Sequence, residues 1–157
     1  MDSTLKAVVP FAASFAACGA WAQSAPSPAA PSAANPGSAC AAPWPGARSV
    51  AANGLALNWR AVPEPLATGR HFSVDVALCA DPRGAMPTLL RVDATMPDHR
   101  HGMNYRPTLA ATGPGRYRAE GLLLHMPGRW EFAFELHAPG AANDVAPARL
   151  TQSLTLR

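Results

Sequence analysis

Two short phrases hold most of the histidines and methionines of this chain. The first is Met96-Pro-Asp-His-Arg-His-Gly-Met-Asn-Tyr105, and the second is Leu124-His-Met-Pro-Gly-Arg-Trp130. Together they carry His99, His101, His125, Met96, Met103 and Met126, three of the five histidines and three of the five methionines. Any one of these residues has an ordinary explanation, since methionines at strand ends commonly fill irregular gaps in a core. Six of them on two segments call for another.

The spacing defines the chemistry. Side chains of an extended segment alternate with period two, so residues 99, 101 and 103 share one side and can face one ion. Gly102 lets the backbone bend toward it. Imidazole suits Cu(II) and Zn(II), whereas thioether sulfur is a useful ligand chiefly for Cu(I). A mixed His and Met set therefore favours copper over zinc. Asp98 offers a hard oxygen ligand or a group that orients a histidine from behind. His125 and Met126 are adjacent and point opposite ways on a regular strand, so His125 is the expected ligand and Met126 the packing residue. Trp130 is expected to plug the core beneath its turn. His71 and His137 lie outside both phrases and read as surface residues.

These phrases must be positioned by strands. From Leu55 onward the chain consists of short alternating segments separated by turn residues. The expected strands are Leu55 to Trp59, His71 to Cys79, Leu89 to Met96, Pro107 to Ala111, Arg116 to His125, Trp130 to Leu136, and a last one holding Leu150, Leu154 and Leu156. In the third, Leu90, Val92 and Ala94 are expected to face inward. Six to seven strands in about 100 residues predict an all-β, immunoglobulin-like β-sandwich. Gly113-Pro-Gly115 and Pro127-Gly128 are turn signals. An up-and-down path through these turns brings the 97–104 loop and the 125–127 loop to the same end of the sandwich.

Ahead of the sandwich, assigned to 51–157, composition changes twice. Residues 1–22 read as an export signal: Lys6, an apolar run from Ala7 to Ala20 too short to span a bilayer, and a small-x-small cleavage site at Ala20-Trp-Ala22. A rival reading takes Phe15-Ala-Ala-Cys18 as a lipobox, with Cys18 as a lipidated anchor. Both send the chain out of the cytoplasm, to a periplasmic or secreted location or to a lipid-anchored place on the envelope. Residues 23–50 are rich in Ala, Pro and Ser, and such a stretch reads as a flexible leader. Only Cys40 and Trp44 hint that its end docks on the domain. No later segment reads as a transmembrane helix. Outside the signal the remaining cysteines, Cys40 and Cys79, form one disulfide in an oxidising compartment, the alternative being a free buried thiol at Cys79.

The formal net charge of +3 comes from arginines scattered singly among acids. Nucleic acid is therefore not an expected partner, because that needs a dense basic stripe. No serine-based triad, phosphate loop, zinc-finger spacing or paired carboxylates stand out, and no enzyme activity is expected.

The stretch from Asp93 to Glu135 resembles the YtkA-like and FixH-like group of small exported β-sandwich domains, which are similar in architecture to CopC-type periplasmic copper carriers. The resemblance is carried by Met96, His99, His101, Gly102, Met103, Met126, Pro127, Gly128 and Trp130. It implies copper binding, or delivery of copper to an envelope cuproenzyme such as a respiratory oxidase. The chain departs from FixH-like members in lacking a retained transmembrane helix, and from the usual His-x-Met spacing in having His125 and Met126 side by side. The expectation is thus a copper-binding carrier or storage module. The alternative is a metal-free interaction sandwich of the cell envelope.

Overall fold

The computed structural model describes Cys40 and residues 43–157. The expected signal segment, Cys18 and most of the expected leader lie outside the described residues. Among those described there are nine strands and no helix. They are β1 (Arg48–Ala52), β2 (Leu55–Val62), β3 (His71–Leu78), β4 (Thr88–Met96), β5 (His101–Gly102), β6 (Thr108–Gly113), β7 (Arg116–Leu123), β8 (Gly128–His137) and β9 (Ala148–Leu156). A five-stranded sheet ordered β1-β2-β3-β7-β6 packs on a four-stranded sheet ordered β5-β4-β8-β9, and every pairing is antiparallel. The architecture is the expected all-β sandwich.

Alternation explains the packing. Trp59, Val74, Val76 and Leu122 from one sheet meet Val92, Phe132, Phe134 and Leu150 from the other, all within 2% of full burial. The Trp59 ring lies 4.7 Å from Phe132 and 5.5 Å from Phe134. Its indole N–H crosses the core to donate to Gln152 at 2.7 Å, so the ring is buried without an unmet donor.

Two strands exceed the six to seven expected. β1 begins at Arg48, ahead of residue 51 where the sequence reading opens the sandwich. It lacks large side chains, but pairs with β2 from Arg48–Trp59 to Ala52–Leu55 around Asn53-Gly54. Both turn residues have positive φ, 54° and 74°, as a tight hairpin turn requires. β5 is only two residues long. A third difference is Leu90, expected inward but 41% exposed, whereas Leu89 is buried. The β4–β8 register shifts between Leu89 and Arg91. This bulge turns one extra residue outward and reverses the parity before it.

The outer face of the larger sheet is not bare. Cys40 and Cys79 form a disulfide, with Cα atoms 5.3 Å apart. Trp44 lies against the guanidinium groups of Arg60 and Arg116, at 4.9 and 5.3 Å. Asn58, 2% exposed, donates to the Cys40 carbonyl. Beside it Asp75, 7% exposed, receives Arg60 at 3.1 Å and Arg118 at 2.7 Å. Burial raises the Asp75 pKa, but the hydrogen bonds from Arg118 and Arg60 and their charges outweigh it, leaving the carboxyl below its ordinary value. The end of the Ala/Pro/Ser stretch is thus docked on the domain by a covalent bond and a stacked tryptophan.

Candidate metal centre

The two His/Met phrases meet at one end of the sandwich. Met96 closes β4 and is 1% exposed. A four-residue turn, 97–100, then reverses the chain. The His99 N–H donates to the Met96 carbonyl at 3.1 Å, and Arg100 takes the left-handed conformation, φ 57°. The return strand pairs His101 with Met96. Residues directly opposite in an antiparallel pair share a face, so His101 follows buried Met96 toward the interior. Met103 keeps that parity; its N–H donates to the Ala94 carbonyl at 3.1 Å and its side chain packs on the core.

The second phrase arrives from the other sheet. β7 ends at Leu123, Leu124 is buried, and His125 and Met126 form the crossing to β8. The Trp130 indole N–H donates to the Met126 carbonyl at 3.0 Å, which fixes this crossing against the core. Trp130 itself is fully buried, as expected of a plug.

The His101 and His125 ring centroids are 5.0 Å apart, and His99 lies 5.8 Å from His101. Two imidazoles bound to one tetrahedral ion, with bonds of about 2.0–2.1 Å, have centroids on the order of 5 Å apart. His101 and His125 match that separation, and both edge the Trp130 ring, at 6.1 and 5.4 Å. His101 Nδ1 lies 3.3 Å from the Gly102 carbonyl. With the proton on Nδ1 it donates there and leaves Nε2 as the coordinating atom, the usual way a ligand histidine is oriented.

His125 Nδ1 is the one buried side-chain nitrogen or oxygen among the described residues with no hydrogen-bond partner. Such an atom costs roughly 1–3 kcal/mol if it stays unpaired. Met96, Met103 and Met126 all pack on the same end of the core. A Cβ on Gly128, whose φ is 125°, would come within 2.7 Å of the Met96 methyl. Glycine at the start of β8 therefore leaves room for the end of the Met96 side chain as it is placed here.

Not every expected partner joins. His99 sits on the exposed turn, ahead of the two-residue strand that begins at His101. Asp98 orients no histidine. Its two oxygens take Arg129 Nη2 at 2.6 Å and Nε at 3.2 Å. That hydrogen bonding is the main reason its carboxyl lies below the ordinary value; slight desolvation opposes it, and the charges of Arg129 and His99 add to it. Among the described residues no three His, Cys, Asp or Glu side chains are grouped to hold an ion. A metal here would need a mixed set, the paired rings of His101 and His125 with thioether sulfur from a methionine of the same two phrases. The sequence reading missed Arg129. The signal for it was the cation immediately before Trp130, across the sandwich end from Asp98.

Comparison with known proteins adds no relative: no protein-family model matches the chain, and no curated protein or solved structure matches it.

Proposed function

We propose that this end of the sandwich binds copper, and that the protein carries or stores the ion in the cell envelope without catalytic turnover. The observation that carries the reading is the buried, unpartnered His125 Nδ1 beside the His101 ring at 5.0 Å. Coordination gives that lone pair a partner. The soft sulfurs of Met96, Met103 and Met126 favour Cu(I), and the imidazoles accept either oxidation state. His99, on the exposed turn 5.8 Å from His101, is a donor through which an ion enters or leaves. The likeness of the two phrases to YtkA-like and FixH-like domains agrees with this reading, and delivery to an envelope cuproenzyme follows from it.

The test is metal content and Cu(I) and Cu(II) titration of the protein beside a His99/His101/His125→Ala variant. The expected result is one copper per chain, lost in the variant. Equal, stoichiometric copper in both would remove the site, and none in either would remove the function in favour of a metal-free interaction module.

A further inference from the structure

Of the two segments that make the copper site, the first follows β4 and the second leads from β7 into β8, the neighbour of β4 in its own sheet, so the backbone ladder holds the strands but not the 97–100 turn beyond them. Among the described residues, one pair of side chains joins the two segments by hydrogen bonds: Asp98, in the turn, and Arg129, at the start of β8. The other side-chain bonds in the region stay within one segment, His101 to Gly102 and Trp130 to Met126. We propose that the Asp98–Arg129 ion pair is a positioning clamp, holding the 97–100 turn across the crossing so that His99 and His101 stay beside His125.

Three features favour this role over a purely structural one. Both partners are largely exposed, with side-chain exposures of 56% and 44%, and pairs in that setting add little to the stability of a fold. The contact is nevertheless two-pronged, a geometry that fixes orientation as well as distance. It also lies one residue from His99 and one from Trp130, the ring that both His101 and His125 edge. A displacement of the turn would therefore alter the imidazole spacing directly. The competing idea, Asp98 as an oxygen ligand, conflicts with the engagement of both its oxygens by Arg129.

The affinity side of this proposal rests on the copper reading above, so the experiment has two readouts. Asp98→Ala, Arg129→Gln and the reciprocal Asp98→Arg/Arg129→Asp swap are made in the full chain. Cu(I) affinity is measured by competition with a chromogenic chelator. Contact between the His101 and His125 ring protons is measured by nuclear Overhauser effects in the metal-free protein. A clamp predicts that each single change weakens Cu(I) binding about fivefold, the scale of a modest coupling, and weakens the ring contact. The swap restores most of both. If Asp98→Ala weakens binding while Arg129→Gln leaves it unchanged or tightens it, Asp98 is a ligand and the clamp is wrong. Single variants that leave the ring contact intact overturn it too. Should the wild-type chain take up no copper, the copper reading fails, and the ring contact alone still decides the clamp.

Discussion

Asp75 and His125 are both covered polar groups of one β-sandwich, and their surroundings are opposite. The Asp75 carboxylate is covered, yet each oxygen has an arginine on it. The nearby Asn58 amide reaches the Cys40 carbonyl, and Trp44 lies over Arg60. Every demand made by burial is met within the chain, and the region ties a segment to a sheet. His125 Nδ1 is covered and has no partner, although His101 and Trp130 crowd its ring. A fold can keep a satisfied polar cluster for its own stability. An unsatisfied one does not stabilise the fold, which is why the proposed copper reading is built on it.

The contrast can be broken most forcefully at the disulfide. Replacing Cys40 and Cys79 together by Ser should cost about 3–4 kcal/mol, read as a lower denaturant midpoint, with copper stoichiometry unchanged because the bond lies far from the His/Met end. A copper loss parallel to the stability loss would show the two regions to be one unit. Next is Asp75→Ala. Removing one partner of a buried pair is costly, but Arg60 and Arg118 are 33% and 38% exposed, so a solvent-screened value of about 2 kcal/mol is expected at neutral pH.

That second effect has a defined pH dependence. The folded carboxyl ionises below its ordinary value of 3.8. Its contribution is therefore complete above that value and disappears as pH falls through the lower folded value. Denaturant midpoints of wild type and variant should converge in acid; a gap that persists would mean the carboxylate is not the cause. The smallest effect sharpens the comparison most. His125→Phe keeps a ring between His101 and Trp130 and removes the orphaned nitrogen, so stability should stay within about 1 kcal/mol or rise, while copper binding falls. A loss comparable to that of Asp75→Ala would mean the nitrogen has a partner after all.

Much of the fold was legible because burial imposes a period. Val74 and Val76, Phe132 and Phe134, and Leu150 alternate with polar or small neighbours and landed in the core. β1 was not legible by this means, since Arg48–Ala52 has no large side chain to alternate; the Asn53-Gly54 turn was the only local sign of it. The outward Leu90 was unreadable because a bulge is a property of two strands in register. The gathering of His101 and His125 could be read from strand direction alone. The roles of Asp98 and Asp75 could not, because their arginine partners lie 31 residues from one and 15 and 43 from the other. Pairing over such distances is decided by tertiary geometry.

One arrangement in the fold also sets how the protein can be handled and met. β3 runs from His71, level with Leu123 at the His/Met end, to Leu78, beside Cys79 and its bond to Cys40. Its eight residues span about 25 Å. The N-terminal segment therefore joins the domain at the far pole. At the near pole, Leu156 of the closing strand pairs with Gly128. A bulky group fused after Arg157 therefore stands beside the proposed copper end, at the opposite pole from the Cys40–Cys79 bond.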